Sequence, residues 1–217
     1  MAFRDAFQSP DLPALERQAL PRDGELVLSG ALVEPDGGGS VGARRVRVRE
    51  SELRGVTLDA DNAPGLELTD AVLRDCGLSN VDAREGQIRR AELRHCQMVG
   101  FSFALGELEN VRLIECSLEL ASLASARLRN VSFERVNLAE ASFMEARLEA
   151  VEFVDCRLAG ADFRGARVRA SAIRGASLDG VLGVESLCGL RMPWSDAIAS
   201  AGAMAAALGI VIDDDQF

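Results

Sequence analysis

An apolar residue stands at every fifth position of this chain from Val48 to Leu178. All twenty-seven of these central positions are apolar, and the phase never slips. A second regular position, two residues earlier, holds small or apolar side chains and has Asp61 as its one charged exception. A period of five matches neither the 3.6-residue turn of an α-helix nor the two-residue alternation of a long strand. The chain must therefore turn a corner once in every five residues.

Each five-residue unit is predicted to be a short extended piece followed by a bend. The central side chain and the one two residues earlier point inward, and the residue between them points outward. Units this short cannot bury their apolar side alone, so successive circuits must stack in a parallel ladder at about 4.8 Å. The pattern therefore predicts a parallel β-solenoid.

Four cysteines indicate how many units complete one circuit. Cys76, Cys96, Cys116 and Cys156 all occupy the earlier inward position, at separations of 20, 20 and 40 residues. Twenty residues are four units, so we expect a four-sided coil in which residues twenty apart lie over one another. Just under seven coils give a rod roughly 33 Å long. Parallel crossovers are nearly always right-handed, and we expect that hand here.

The four faces of this coil are numbered by their first central residues. Face 1 begins with Val48, face 2 with Leu53, face 3 with Leu58 and face 4 with Ala63, and each recurs every twenty residues. The chain has a net charge of −10, but face 1 is rich in arginine and carries +3, whereas faces 3 and 4 carry −3 each. An acidic rod with one basic side is a poor nucleic-acid binder, because phosphate binding needs concentrated positive charge.

The individual units resemble the pentapeptide-repeat proteins. Segments such as 161–165 (A-D-F-R-G), 136–140 (V-N-L-A-E) and 156–160 (C-R-L-A-G) follow their consensus of Ala, Asp or Asn, Leu and two variable residues. The resemblance implies an all-β fold, a right-handed quadrilateral parallel β-helix of about seven coils. The chain resembles a degenerate member of this family, because only four units keep the consensus Asp or Asn. These are Asn62, Asp82, Asn137 and Asp162.

The repeat divides the chain into three parts. Residues 1–45 are predicted to be an N-terminal cap, residues 46–183 the β-helix, and residues 184–217 a C-terminal helical cap with an acidic tail. Within the first part, Ser9-Pro10 predicts a short helix over about residues 10–19. Residues 26–45 fit either a hairpin or an irregular first coil.

The C-terminal part contains one further helix signal. Residues 194–208 are rich in alanine, with Pro193 before them and Gly209 as a C-terminal cap. Their apolar stripe would cover the last coil or contact a second copy, and the resemblance implies a homodimer because several relatives pair through this end. The stripe consists of Trp194, Ile198, Ala201, Ala205 and Leu208.

The chemistry-bearing residues predict neither a metal site nor an active site. A column of parallel cysteine side chains among leucines does not converge on one point, as zinc ligands must, and it is typical of small buried hydrophobes. His95 falls on an outward corner beside Glu115. No nucleophile has a base at a spacing that the coil would bring together, and no glycine-rich phosphate loop follows a strand. We therefore expect a protein without cofactors that is not an enzyme.

Two further features set expectations. The unit at residues 61–65 places Asp61 at an inward position, and because an unpaired buried carboxylate is costly, we expect a bulge that turns it outward or pairs it.

The chain starts without an apolar run of signal-peptide length and has no stretch near the roughly 18 residues that cross a bilayer. With its unpaired cysteines, this predicts a cytoplasmic protein without a membrane partner.

Two functional hypotheses remain open. The resemblance implies a DNA-mimicking rod of the quinolone-resistance kind, which binds DNA gyrase or topoisomerase IV through acidic faces. The candidate acidic residues are Asp59, Asp82, Glu85, Glu119, Glu140, Glu145, Asp162 and Asp179. The alternative is an interaction scaffold for another cytoplasmic protein, with an apolar contact patch. The candidate patch residues are Val99, Leu105, Ile114 and Leu120.

Overall fold

The computed structural model describes residues 7–21, 23–59 and 63–212, which form a parallel β-solenoid of about seven turns. Asp61 and the acidic tail lie outside the described residues. The strands are β1 (Glu16–Arg17), β2 (Asp23–Ser29), β3 (Ala31–Val33), β4 (Gly39–Arg54), β5 (Val56–Leu58), β6 (Glu67–Arg74), β7 (Gln87–Arg94), β8 (Glu107–Ile114), β9 (Arg127–Glu134), β10 (Arg147–Val154), β11 (Arg167–Arg169) and β12 (Ala172–Arg174). The helices are η1, a 3-10 helix (Val184–Leu187), α1 (Trp194–Ala199) and α2 (Ala201–Ala207).

The register confirms the four-sided coil. Strands β6 to β10 pair in parallel, so that Leu68 lies over Ile88 and Ile88 over Leu108. These strands cover faces 1 and 2, whereas faces 3 and 4 are built from single bridges and tight turns, such as the bridge from Gln97 to Ser117. Two faces are therefore strand-like and two are turn-like.

Every described corner of the coil contains a residue with a left-handed backbone. Glycine fills some of these corners, such as Gly100 at φ 66°. Others hold side chains that tolerate the conformation less well, including Leu105 at φ 62° and Leu120 at φ 60°. Outside glycine and asparagine, this region costs roughly 1 to 2 kcal/mol for each residue. The five-residue period therefore determines the backbone conformation at the corners as well as which side chains are buried.

Stacked aromatic rings fill the C-terminal half of the core. The Phe143 and Phe163 rings are parallel at 4.8 Å on face 4, and the Phe133 and Phe153 rings are parallel at 5.1 Å on face 2. The two stacks meet edge to face across the coil, with Phe143 and Phe153 centroids 5.9 Å apart. All four rings are buried, so this block of the rod is tightly interlocked.

In the N-terminal segment, one of two open alternatives is observed and the predicted helix is not. Residues 26–45 form the irregular first coil and not a hairpin, because Leu26 pairs in parallel with Val46 after a register shift at Gly24. The helix expected over residues 10–19 is wrong. Its place is taken by the short strand β1, which adds to β3 in parallel, with Glu16 N–H donating to Gly30 O at 2.9 Å. Pairing with an exposed sheet edge outweighs the local capping signal.

The C-terminal cap is two short helices where one was expected. They meet at Ser200, a buried residue whose hydroxyl oxygen accepts a hydrogen bond from Leu178 N–H at 3.1 Å. Ala203 and Met204 pack against the core. The prediction that the apolar stripe covers the last coil is therefore wrong, because four of its five residues are exposed. These are Trp194, Ile198, Ala201 and Leu208, whereas Ala205 is half-buried. Among the described residues, no helix is both long and apolar enough to span a membrane.

Candidate protein-interaction surfaces

The outward charges of the strand-like faces are largely paired with each other. On face 1, Arg47 donates two hydrogen bonds to Glu67, at 2.8 and 3.0 Å. On face 2, the Glu52 carboxylate accepts from Arg54 at 2.9 Å and from Arg74 at 2.8 Å. Burial alone would raise the pKa of Glu52, but these two guanidinium groups hold it below its usual range. Much of the charge on these faces is therefore neutralised within the rod.

Face 2 is also crossed by the N-terminal segment. Asp11 N–H donates to the Asp70 carboxylate at 3.2 Å, and the Arg112 guanidinium lies 5.5 Å from the centre of the Phe7 ring. Ile114, two residues beyond Arg112 on the same face, is only 5% exposed. The prediction that Ile114 belongs to an exposed patch is wrong, because this residue is buried and lies at a different corner of the coil from Leu105 and Leu120.

The contact between Asp11 and Asp70 predicts a pH-dependent attachment. Hydrogen bonding from Arg90 is the main cause that lowers the pKa of Asp70, and the Asp11 N–H adds to it. Stability from a carboxyl with a lowered pKa is present above its unfolded value of about 3.9 and is lost as pH falls below that value. We expect acidification through this range, or Asp70→Ala at neutral pH, to speed hydrogen exchange of residues 7–15.

Asp75→Ala is the matched control for this measurement. Asp75 is an exposed corner residue of the same coil and makes no ion pair with a described residue. We expect it to leave exchange in residues 7–15 unchanged. Equal acceleration in both variants would contradict a specific role for Asp70.

The turn-like faces carry little charge in the middle of the rod. Outward positions on face 3 hold Gln97, Ser117 and Asn137, and those on face 4 hold a serine ladder. The ladder consists of Ser102, Ser122 and Ser142. Within the part of the chain that the structure describes, this weakly polar region has no network of ion pairs, in contrast to faces 1 and 2.

Two leucines project from the corners on either side of face 4. Leu105 is 60% exposed and Leu120 is 55% exposed, and Val99 is half-buried near Leu120. Met144, at 37% exposed, lies at the same corner as Leu105 two coils later. The sequence reasoning missed Met144, although an outward apolar residue was its signal. We call Leu105, Leu120, Met144 and the serine ladder between them the face-4 patch.

The eight candidate acidic residues do not form one continuous surface. Asp82 is paired with Arg84 at 2.8 Å, and Asp162 is paired with Arg164. Hydrogen bonds from these arginines lower the pKa of both aspartates. The remaining six have no arginine partner within the described residues. They are Asp59, Glu85, Glu119, Glu140, Glu145 and Asp179.

Of these six, Glu119 and Glu140 lie in adjacent coils at the corner between faces 3 and 4. Glu119 accepts a hydrogen bond from Asn137 at 3.2 Å, and Glu145 accepts one from Ser125 at 3.5 Å. Asp59 and Asp179 lie coils away, toward opposite ends of the rod. The unpaired acidic charge beside the face-4 patch is therefore small and local.

The thiols and the histidine form no reactive cluster among the described residues. The column of Cys76, Cys96, Cys116 and Cys156 is buried, and its thiols donate to backbone carbonyls, as from Cys76 to Arg74 O at 3.3 Å. Burial raises the pKa of the Cys156 thiol to about 11, so it stays protonated at neutral pH. His95 Nδ1 lies 3.2 Å from Glu115 on an exposed corner. Among the described residues, no set of side chains lies close enough together to hold a metal ion.

One family model matches part of the chain, and several solved structures are similar to it. Residues 106–182 match the family model described as pentapeptide repeat region. Similar solved structures include a trypsin-treated variant of QnrB1, a plasmid-mediated fluoroquinolone resistance protein, at 16% identity and a TM-score of 0.38, over 93% of this chain and 100% of that one. HetL, a pentapeptide repeat protein involved in heterocyst differentiation regulation from the cyanobacterium Nostoc sp. strain PCC 7120, is 19% identical with a TM-score of 0.24, over 86% of this chain and 92% of that one. No curated protein matches the sequence.

Proposed function

Because residues 106–182 match the pentapeptide repeat family model, we propose that the chain is a non-catalytic rod that binds another protein through the face-4 patch. The observation that carries this proposal is the pair Leu105 and Leu120, both more than half exposed and both at left-handed corners. Neither backbone preference nor solubility favours leucine there. Burial of each side chain by a partner would contribute about 1.5 to 3 kcal/mol.

A second, more specific candidate partner is DNA gyrase or topoisomerase IV. What favours it is the pair Glu119 and Glu140, which have no arginine partner among the described residues and flank the exposed Leu120. Carboxylates beside an apolar contact suit a protein surface that normally receives DNA phosphates. Asp82 and Asp162 are already neutralised by their arginines and contribute little to such mimicry. Asp59, Glu85, Glu145 and Asp179 would add only long-range negative potential.

A supercoiling assay with purified gyrase tests the specific candidate. We expect micromolar protein to inhibit supercoiling, and the double variant Leu105→Ser/Leu120→Ser to lose inhibition by tenfold or more, because two buried leucines account for about 3 kcal/mol or more. Val27→Ser is the matched control, since Val27 is 51% exposed on another face. If the unaltered chain does not inhibit supercoiling, the topoisomerase proposal is contradicted.

The broader proposal has its own test. Capture from native cytoplasm should recover a specific protein with the unaltered chain and with Val27→Ser, and not with Leu105→Ser/Leu120→Ser. A partner that binds all three equally would contradict the face-4 patch as the binding site. We propose the cytoplasm as its compartment, because all five cysteines are free.

We also propose a homodimer through the C-terminal end of the rod. Large apolar side chains are exposed at this end. Trp194 is 79% exposed, Ile198 61% and Leu208 77%. The segment that follows α2 adds Ile210, Val211 and Ile212, all more than half exposed. Together these residues form a larger exposed apolar surface than scattered single residues would give. A second copy that buries them would remove this surface from water.

Light scattering after gel filtration tests the dimer. We expect the mass of two chains, and the mass of one chain for Ile198→Asp/Leu208→Asp. Val27→Asp adds a charge at an exposed apolar site away from this end and should stay dimeric. A single-chain mass for the unaltered protein at micromolar concentration would overturn the proposal.

A further inference from the structure

A shallow trough runs along face 1 between two rows of outward side chains. Its floor is formed by central residues such as Leu128 and Leu148, and the main part has a volume of about 460 Å³. The rows lie two residues apart on each strand, which is about 7 Å. One row contains Glu107, Arg127, Arg147 and Arg167. The other contains Arg89, Glu109, Arg129, Glu149 and Arg169.

The charge of this trough changes along the rod. Near its N-terminal end, arginines and carboxylates pair, as Arg127 does with Glu107 at 3.3 Å and Arg89 does with Glu107 at 3.5 Å. Arg129 pairs with Glu109 in the same way. In this part of the trough, arginines and carboxylates offset one another.

At the C-terminal end of the trough, the arginines outnumber the carboxylates that could pair with them. Arg127, Arg147 and Arg167 stand in register on three adjacent strands, so their backbones are about 4.8 Å apart. Glu149, the carboxylate of this end, pairs with Arg169 at 3.5 Å. Within the described residues, Arg147 and Arg167 make no ion pair and no side-chain hydrogen bond, and both are exposed.

A column of like charges across neighbouring strands destabilises a sheet. Nothing in the core requires arginine at these outward positions, since Glu107 and Gln87 occupy the same row in earlier coils. The trough from residue 127 to residue 169 holds five arginines and one glutamate, on a chain whose net charge is −10. An anionic partner would relieve this local excess of positive charge.

We propose that residues 127–169 of face 1 are a docking site for an acidic segment of a partner protein, with Arg147 and Arg167 binding its aspartate or glutamate carboxylates. The guanidinium group presents a planar fork of donors that suits a carboxylate, and two free forks lie side by side on adjacent strands. This surface lies on face 1, across the corner of Leu105 and Met144 from face 4. Its test changes only arginines and uses a peptide, so its outcome is distinct from that of the gyrase assay.

A nucleic acid fits the same surface less well. A duplex brings a continuous row of phosphates, which would meet the carboxylates Glu107, Glu109 and Glu149 in the trough as well as an acidic rod around it. An acidic peptide needs only two or three carboxylates at the Arg147 to Arg167 end. The limited width and length of the basic stretch therefore favour a short acidic protein segment.

Fluorescence anisotropy with a short labelled poly-aspartate peptide tests this inference. We expect binding to the unaltered chain that weakens with salt, and no binding of a poly-serine peptide of equal length. Arg147→Gln/Arg167→Gln should weaken binding about fivefold or more, because two charge-assisted contacts are lost. The same variant should unfold no more easily than the unaltered chain, since both side chains are exposed and repel each other.

The matched control is Arg84→Gln/Arg135→Gln, which changes the net charge equally. Arg84 and Arg135 pair with Asp82 and Glu115, each at 2.8 Å, on other parts of the rod. We expect its affinity for poly-aspartate to stay within about twofold of the unaltered chain, since only long-range attraction changes. The inference is overturned by equal weakening in both double variants, by absence of poly-aspartate binding, or by equally tight binding of an oligothymidylate of the same charge.

Discussion

Leu118→Asp is expected to abolish most of the folded protein. Leu118 is 2% exposed and lies in one column between Met98 and Leu138, so the new carboxylate has no route to water. Loss of a buried leucine costs about 2 to 5 kcal/mol, and a carboxylate without a partner in this setting costs several more. That total approaches the whole stability of a typical domain, about 5 to 15 kcal/mol. Circular dichroism and chemical unfolding measure the loss.

Glu119→Arg, one residue further along the chain, separates burial from charge. Glu119 lies at a partly exposed corner and loses only a hydrogen bond from Asn137 when replaced. We expect a change in stability of about 1 kcal/mol or less. Comparable damage from both substitutions would contradict the inward and outward assignment on which every face depends.

The fold was predictable because burial repeats with a fixed period. The cysteine spacing indicated a twenty-residue circuit, and the register places Gln97, next to Cys96, over Ser117, next to Cys116. Each coil contacts only its neighbours, so a local rule propagates through the rod. Composition alone would not have distinguished strand-like faces from turn-like ones, because both bury the same two positions in each unit.

The ends were harder to predict because they lack the repeat. The signal at Ser9-Pro10 is local, whereas the pairing of Glu16 with the edge at Ala31 depends on tertiary placement. Likewise, a helical stripe shows which residues share a side and not which side faces the core. In the structure, the Ser200 hydroxyl, which accepts a hydrogen bond from Leu178 N–H, holds the junction of the two helices against the last coil.

The interaction surfaces were only partly predictable for a related reason. Net charge for each face cannot show which charges cancel, so Asp82 and Asp162 were among the candidate acidic residues although each pairs with an arginine two residues away. The same count concealed that Arg147 and Arg167 lack partners within the described residues. Ile114 was misplaced because an outward position in the repeat does not by itself show that a side chain is exposed, and Ile114 is only 5% exposed.

Phe143→Ala is expected to lower the free energy of unfolding by about 3 to 5 kcal/mol. Phe143 is fully buried and touches three other rings, stacking on Phe163 at 4.8 Å and meeting Phe133 and Phe153 edge to face. Truncation opens a cavity that these stacked rings cannot fill without leaving their rotamers. The loss should appear in chemical unfolding as a lower midpoint with an unchanged slope.

Phe143→Leu is the matched control, because the column itself shows that leucine fits. Leu123 occupies the same position one coil earlier, beneath the serine ladder and 2% exposed. The swap keeps most of the buried volume and loses one aromatic stack, so we expect a cost of about 1 kcal/mol. If leucine proves as damaging as alanine, ring geometry and not volume holds this half of the rod together. If neither substitution matters, the four-ring cluster is not the stabilising centre of the C-terminal half.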